Sequence, residues 1–374
     1  MDVLVDGAFA SYECGGIGAY SVEVILGLGQ AGFTVDVVAP GPRPDITNRA
    51  NVNVHIEPFP FFTAESLDSR SVWHQSVMQR HAVSLDPDVY LGPAFMAPIE
   101  WRGPKVVTVH DLAFEHSGLN PPENEAYYSF WARRCARDAT QILCPSGFTK
   151  WEIGNLWGVP EAAISVTHLA PSLPLGDVDV PYSRNVVAEL LGWSHPFVLH
   201  VGGLTRRKNI ETVLRAMVLV CEQVEELGLV IVGQDDPTLR KIAEGTPLEE
   251  RLQFTGYCAR DLMPAVYSAA ECLVYPSLLE GFGLPPVEAM SVGTPVIVSD
   301  IPVFREILED GALFCDPQSP HDLARKVLSI SGDSTGAVKG RVERGREIVA
   351  KYSWYDVGMR TANALEAAAS GRGI

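Results

Sequence analysis

The chain has 374 residues, 47% of them hydrophobic and 20% charged, with a formal net charge of -17. Its length exceeds one ordinary core and fits two domains of roughly 150 residues each, with no low-complexity tract between them. The deficit of Lys and Arg excludes a general nucleic-acid role, because neutralising phosphates needs a cationic surplus, and it gives no drive toward an anionic membrane. Seven cysteines (Cys14, Cys135, Cys144, Cys221, Cys258, Cys272, Cys315) are odd in number, widely spaced and never in a C-x-x-C pair. They suggest neither a disulfide framework nor a zinc site, and they fit a reducing cytoplasm. The start "MDVLVDGAF" lacks the basic flank and long apolar core of a signal peptide, and no apolar run reaches the ~18 residues that span a bilayer. The expected location is cytoplasmic, with peripheral contact at the inner face of a membrane left open.

Short β-rich runs alternate with helical stretches along the whole chain. The first series is "DVLVDGAF", "TVDVVAP", "VNVHIEPF", "DVYLGP", "KVVTVHD", "QILCPS" and "ISVTHLAP". The second is "FVLHVGG", "LVIVG", "LQFTG", "CLVYPS", "PVIVSD" and "ALFCD", with helical segments such as "NIETVLRAMVLVCEQVEEL" between them. This alternation predicts βα units on parallel sheets, and two series predict two doubly wound α/β domains. Three prolines and a glycine in "APSLPLGDVDVPYSR", residues 170–184, break the periodicity between the series. The expected domains are therefore 1–174 and 184–353, followed by a last helix over 354–374 that either finishes the second domain or crosses back to the first.

Candidate sites follow strand ends. In "ECGGIGAY" the helix is expected to begin near Ile17, and Gly16 and Gly18 let backbone N–H groups at its start approach an anion or a ligand oxygen. A dinucleotide fingerprint would need a third glycine where Ser21 stands, which disfavours NAD. "VTVHDLAF" puts His110 and Asp111 at a strand's carboxyl end, where a neutral imidazole can both donate to and accept from sugar hydroxyls. Ser146 in "CPSGFTKWEIG" reads as a helix cap. In "HVGGLTRRKNIETVL" the cations Arg206, Arg207 and Lys208 gather before a helix, a diphosphate clamp that stands out in so acidic a chain. "EGFGLPPVEAM" sets Glu280 before Gly281, Phe282 and Gly283, then Leu284 and two prolines at a helix start, then Glu288 one turn on. Backbone N–H groups there suit an anion or hydroxyl, while a carboxylate such as Glu288 suits the paired hydroxyls of a ribose.

Taken together, "GGIGAY", "HDLAF", "VGGLTRRKN" and the run from "FTGYCARDLMPAVYSAAECLVYPSLLEGFGLPPVEAMSVGTPVIVSDIPVFREI" resemble family 4 glycosyltransferases, mannosyltransferase-like members included, over nearly the whole chain. The resemblance implies a GT-B fold, two Rossmann-like domains facing across a cleft, with the last helix crossing back to the N-terminal domain. It implies retaining transfer of a hexose from a GDP- or UDP-sugar, GDP-mannose or similar, to a saccharide, lipid-linked or small-molecule acceptor, with no required cofactor or metal. By position, Arg207 and Lys208 match the diphosphate-binding pair and Glu288 the ribose ligand. Glu280 with the backbone of Gly281, Phe282, Gly283 and Leu284 matches the donor-sugar contacts. Tyr257 stands where the base is held by main chain. His110 matches a histidine beside the transferred sugar, with Asp111 on the acceptor side. Gly16, Ile17 and Gly18 match a loop reaching the diphosphate or the acceptor. Gly203 departs from relatives that often carry Arg there, which leaves the clamp to the cations that follow.

The catalytic set expected from this is His110, Arg207, Lys208 and Glu280. An epimerase or phosphorylase on the same fold, or a noncatalytic nucleotide-sugar-binding subunit, is the competing expectation. Acceptor choice is expected in N-terminal loops such as 57–73, and Trp131, Arg133, Arg134 and Arg137 form a candidate membrane-surface contact.

Overall fold

The computed structural model describes residues 1–59, 67–173, 178–191, 195–333 and 336–371. Residues 60–66 of the aromatic loop expected at 57–73, residues 174–177 of the chain break and the last three residues lie outside the described residues.

All thirteen strands read from the sequence form. In chain order the first seven are β1 (Asp2–Asp6), β2 (Thr34–Ala39), β3 (Val52–Ile56), β4 (Val89–Gly92), β5 (Lys105–Thr108), β6 (Gln141–Cys144) and β7 (Ile164–Val166). They pair in the order β3-β2-β1-β4-β5-β6-β7, every pair parallel. The other six are β8 (Phe197–Val201), β9 (Gly228–Val232), β10 (Leu252–Phe254), β11 (Cys272–Tyr275), β12 (Val296–Ser299) and β13 (Leu313–Cys315). They pair as β10-β9-β8-β11-β12-β13, again wholly parallel. Each sheet thus winds outward in both directions from a central pair, which is the doubly wound Rossmann-like arrangement. Strands such as "VYLG" and "CLVY" are buried at every position because helices cover both faces, so their apolar runs do not alternate.

The chain divides into two compact units. One holds Met1–Ser117, Pro121–Leu169 and the residues from Ser353 on; the other holds Gly118–Asn120 and Ala170–Tyr352. In the first unit the last helix, Trp354–Ala369, packs on the helix Gly15–Gln30. Gly27 and Gly358 meet at their crossing: a Cβ on Gly27 would lie 3.2 Å from the Gly358 Cα. In the second unit the helix Ile210–Cys221 buries Ile210, Val213, Leu214, Met217, Val220 and Cys221, a 3-4 spacing that lays one face on the sheet. This helix stops at Cys221 rather than running to Leu227 as its sequence suggested. Glu222, Glu225 and Glu226 would place negative charge at its carboxyl end, where the helix dipole disfavours it.

Candidate active site

The second sheet reverses its winding between β8 and β11, so the loops leaving their carboxyl ends diverge, and that divergence is where open α/β sheets hold ligands. The β8 loop makes a 3-10 turn over Arg206–Lys208, and the β11 loop runs from Pro276 to Gly283. Backbone and side chain tie the two together. Leu278 N donates to Arg207 O at 2.8 Å. Asn209, left-handed at φ 56°, donates from Nδ2 to Pro276 O at 3.0 Å and Pro317 O at 2.7 Å. The cations that the sequence placed in a strand-to-helix turn are therefore mounted on a braced loop.

Arg207 Nη1 donates to Glu280 Oε2 at 2.8 Å and to Leu279 O at 3.2 Å, while Lys208 Nζ donates to Glu280 Oε1 at 2.7 Å. Glu280 is only 6% exposed. Burial alone would raise its pKa, but the Arg207 and Lys208 charges outweigh burial and hold the carboxyl at about 2. The three residues predicted as diphosphate clamp and sugar ligand are thus one buried ion cluster. Arg206 remains exposed beside it.

Gly283 ends the loop at φ 94°, and a Cβ there would stand 2.6 Å from Phe304 Cε1, so glycine is required on both counts. The helix Leu284–Ser291 follows with Pro285 and Pro286 in its first turn. Neither proline carries an N–H, so anion-facing donors at this terminus are confined to the residues around Gly283 and Leu284. Gly281 and Phe282 are buried, and Phe282 packs edge-on against Tyr352 at 5.6 Å, which leaves main chain as its means of touching a ligand. Glu288 accepts from Tyr267 Oη at 2.9 Å. Its surroundings exclude most water although part of its surface stays accessible; this burial outweighs the Tyr267, Arg260 and Ser172 interactions and lifts its pKa to about 7. Tyr257 is 73% exposed and Gly203 is exposed.

In the first unit His110 follows β5 and donates from Nε2 to Pro93 O, after β4, at 2.8 Å. Tyr20 meets the ring edge-on at 4.8 Å. Burial pulls its pKa down against the opposing effects of Pro93 and Asp111, so the ring is neutral near pH 7 with Nδ1 as its acceptor atom. Asp111 spends one oxygen on Ala113 N at 3.0 Å. The glycine loop differs slightly from expectation: the helix begins at Gly15, not near Ile17, because Gly15 takes φ 68° and turns the chain early. Gly16 is exposed, Ile17 half-buried, and Gly18 sits so close to the preceding turn that a Cβ would fall 1.9 Å from Ser11 O. Of the candidate membrane residues, Arg133 is drawn to Glu115 at 2.6 Å, which leaves Arg134 and Arg137 as the exposed cations of that helix.

Sequence reasoning did not single out Tyr275, Tyr267 or His200 as site residues. Tyr275 accepts from Lys208 Nζ, and His200 stacks on Tyr275 at 6.0 Å. The available signal was position: Tyr275 ends one central strand, one residue before "PS", and His200 stands one residue before the end of the other, two residues before "GG". Among the described residues no three or more His, Cys, Asp or Glu gather as for a metal ion, and no helix is long and apolar enough to cross a membrane.

Residues 14–170 match the model of Glycosyltransferase Family 4, and residues 190–346 match that of Glycosyl transferases group 1. The O-antigen chain mannosyltransferase B of Escherichia coli is 30% identical over 288 residues, 74% of each chain. Among solved structures, a sucrose-phosphate synthase from Thermosynechococcus elongatus superposes with TM-score 0.77 at 20% identity, covering 97% of this chain and 98% of its own. Anabaena Alr3699/HepE in complex with UDP-glucose gives 0.75 at 17%, covering 98% and 100%. Two wholly parallel Rossmann-like units, a cation pair at the second sheet's switch point and matches along both halves place this chain in the family 4 glycosyltransferases, as an enzyme of GT-B fold.

Proposed function

We propose that the enzyme moves a hexose from a nucleoside-diphosphate sugar to a hydroxyl of a saccharide, lipid-linked or small-molecule acceptor, with retention at the anomeric carbon. The observation that carries this reading is the pairing of Arg207 and Lys208 with the buried Glu280 at the carboxyl ends of β8 and β11. Two cations held by one carboxylate are a site where a diphosphate can take over the charge and release the carboxylate. Glu280, freed from the pair, then accepts hydrogen bonds from neutral sugar hydroxyls, and Glu288 does the same for a ribose diol. A mannosyl donor such as GDP-mannose is favoured by the 30%-identical mannosyltransferase, and a UDP-hexose is the alternative suggested by the UDP-glucose complex of a fold relative.

Charge develops on the leaving diphosphate as the glycosidic bond breaks, so cations already in place stabilise the transition state without reorganising. Arg207 supplies forked donors and Lys208 a compact charge. The N–H groups around Gly283 and Leu284 add partial positive charge at the helix start. The acceptor attacks on the face that the diphosphate leaves, and its proton passes to the departing phosphate oxygen, so no side chain need act as nucleophile. His110 Nδ1 accepts from a hydroxyl of the transferred sugar. No metal is required because two side-chain cations balance the leaving charge.

The test is release of nucleoside diphosphate from GDP-mannose and UDP-glucose, with simple saccharides as acceptors and NMR of the anomeric proton of the product. Turnover of one donor with retained configuration is expected. Turnover of neither donor, or an inverted product, would refute the proposal.

A further inference from the structure

Tyr275, the last residue of β11, is 1% exposed. Its hydroxyl oxygen accepts from Lys208 Nζ, and the ammonium also lies 4.7 Å from the ring centroid. The ring is fixed on two sides. His200, one residue before the end of β8, stacks on it at 6.0 Å and 23°, and Phe304 meets it at 6.0 Å and 61°. Phe304 in turn occupies the space that a Gly283 side chain would need, so one aromatic stack joins the floor of the cation loop to the start of the helix Leu284–Ser291. His200 Nδ1 donates to Val274 O at 3.0 Å, and burial first, then Lys208, keeps its pKa near its value of about 4, so at neutral pH it adds no charge that competes for the phenol.

Lysine has a flexible four-carbon stem whose rotamer entropy opposes holding it in one place. The exchange of Glu280 from the cations to the sugar takes one partner from the Lys208 ammonium just as the diphosphate arrives. A neutral hydroxyl on a rigid ring solves this: it fixes the nitrogen's position without neutralising the charge. Resting on the function proposed above, we infer that Tyr275 is the positioning residue that keeps Lys208 aimed at the donor diphosphate while Glu280 changes partners. Tyr275 lies outside both the cation pair and the glutamate loop.

Tyr275→Phe keeps the ring and its stack and removes the hydroxyl that Lys208 uses, which also interacts with Glu280. Wild type and variant are titrated calorimetrically with the mono- and diphosphates of guanosine and uridine, and donor turnover is measured in parallel. Monophosphate affinity within about twofold of wild type certifies the fold, while diphosphate affinity falls about tenfold and kcat falls more than KM rises. Equal affinities for wild type and variant, or an equal loss of mono- and diphosphate, would make Tyr275 a packing residue and overturn the inference alone. A wild type that binds neither diphosphate overturns the proposed function and the inference with it.

Discussion

Glu280→Gln removes one charge and almost no volume, so it isolates what the carboxylate contributes. A carboxyl held at about 2 against 4.5 for the free side chain is shifted by ~2.5 units, and ~1.4 kcal/mol per unit gives about 3 kcal/mol of stability near neutral pH. Loss of one partner from a buried pair typically costs about 3–5 kcal/mol, and the 18% and 14% exposure of the Arg207 and Lys208 side chains favours the lower end. The second unit should therefore melt about 6–12 °C lower, read by differential scanning calorimetry, which resolves the transitions of separate units. The sign with pH follows from the depressed pKa. The contribution is complete above about 4.5 and fades as pH falls toward about 2, so wild type and variant should converge in acid. The variant should also bind a free nucleoside diphosphate more tightly, because the anion no longer displaces a carboxylate, yet turn over donor more slowly. An unchanged melting temperature at pH 7, or weaker diphosphate binding, would refute the exchange of Glu280 for phosphate.

Glu288 titrates at about 7, and only its ionised form accepts both hydroxyls of a diol, so affinity for an intact nucleotide sugar should rise about tenfold from pH 6 to pH 8. The intact sugar conjugate has no phosphate titrating in that range, and Glu288→Gln should flatten the profile; a wild-type profile already flat would count against the ribose role. The same raised pKa means that this group subtracts stability as pH rises from 4.5 to about 7, since the unfolded carboxyl ionises first. Gly283→Ala should cost about 2–4 kcal/mol in thermal or urea unfolding, from positive φ plus the 2.6 Å approach to Phe304; a loss under 0.5 kcal/mol would show that the loop relaxes freely.

The strands were legible because each central strand is a short apolar run ended by Gly, Pro or Asp, and parallel sheets leave little else for such runs to do. "VGG" and "YPS" likewise announced the two central strand ends from which the site is built. The ion cluster was not legible. Glu280 lies 73 residues from Arg207 and 72 from Lys208, and only the pairing of β8 with β11 brings their loops together. Glu280 read as a ligand for hydroxyls because sequence spacing carries no information about which cation a buried carboxylate will meet. Tyr275 was hidden for a related reason: at the end of an apolar strand an aromatic residue reads as core, and its hydroxyl gains meaning only beside Lys208. The early start of the helix at Gly15 escaped because three glycines within four residues (Gly15, Gly16, Gly18) allow several turn geometries, and the choice is made by contact with Ser11.

Binding of a nucleotide sugar's diphosphate is proposed for the Arg207 and Lys208 cluster. Its most direct measurement is calorimetric titration of wild type and Lys208→Ala with GDP, UDP and ADP at moderate salt. Saturating one of them should also raise stability by about 2.7 kcal/mol at 100 times its Kd. Wild type should bind one diphosphate, and Lys208→Ala, still folded, should bind it at least tenfold more weakly. Equal binding by the two proteins, or binding of none by the wild type, would contradict that role.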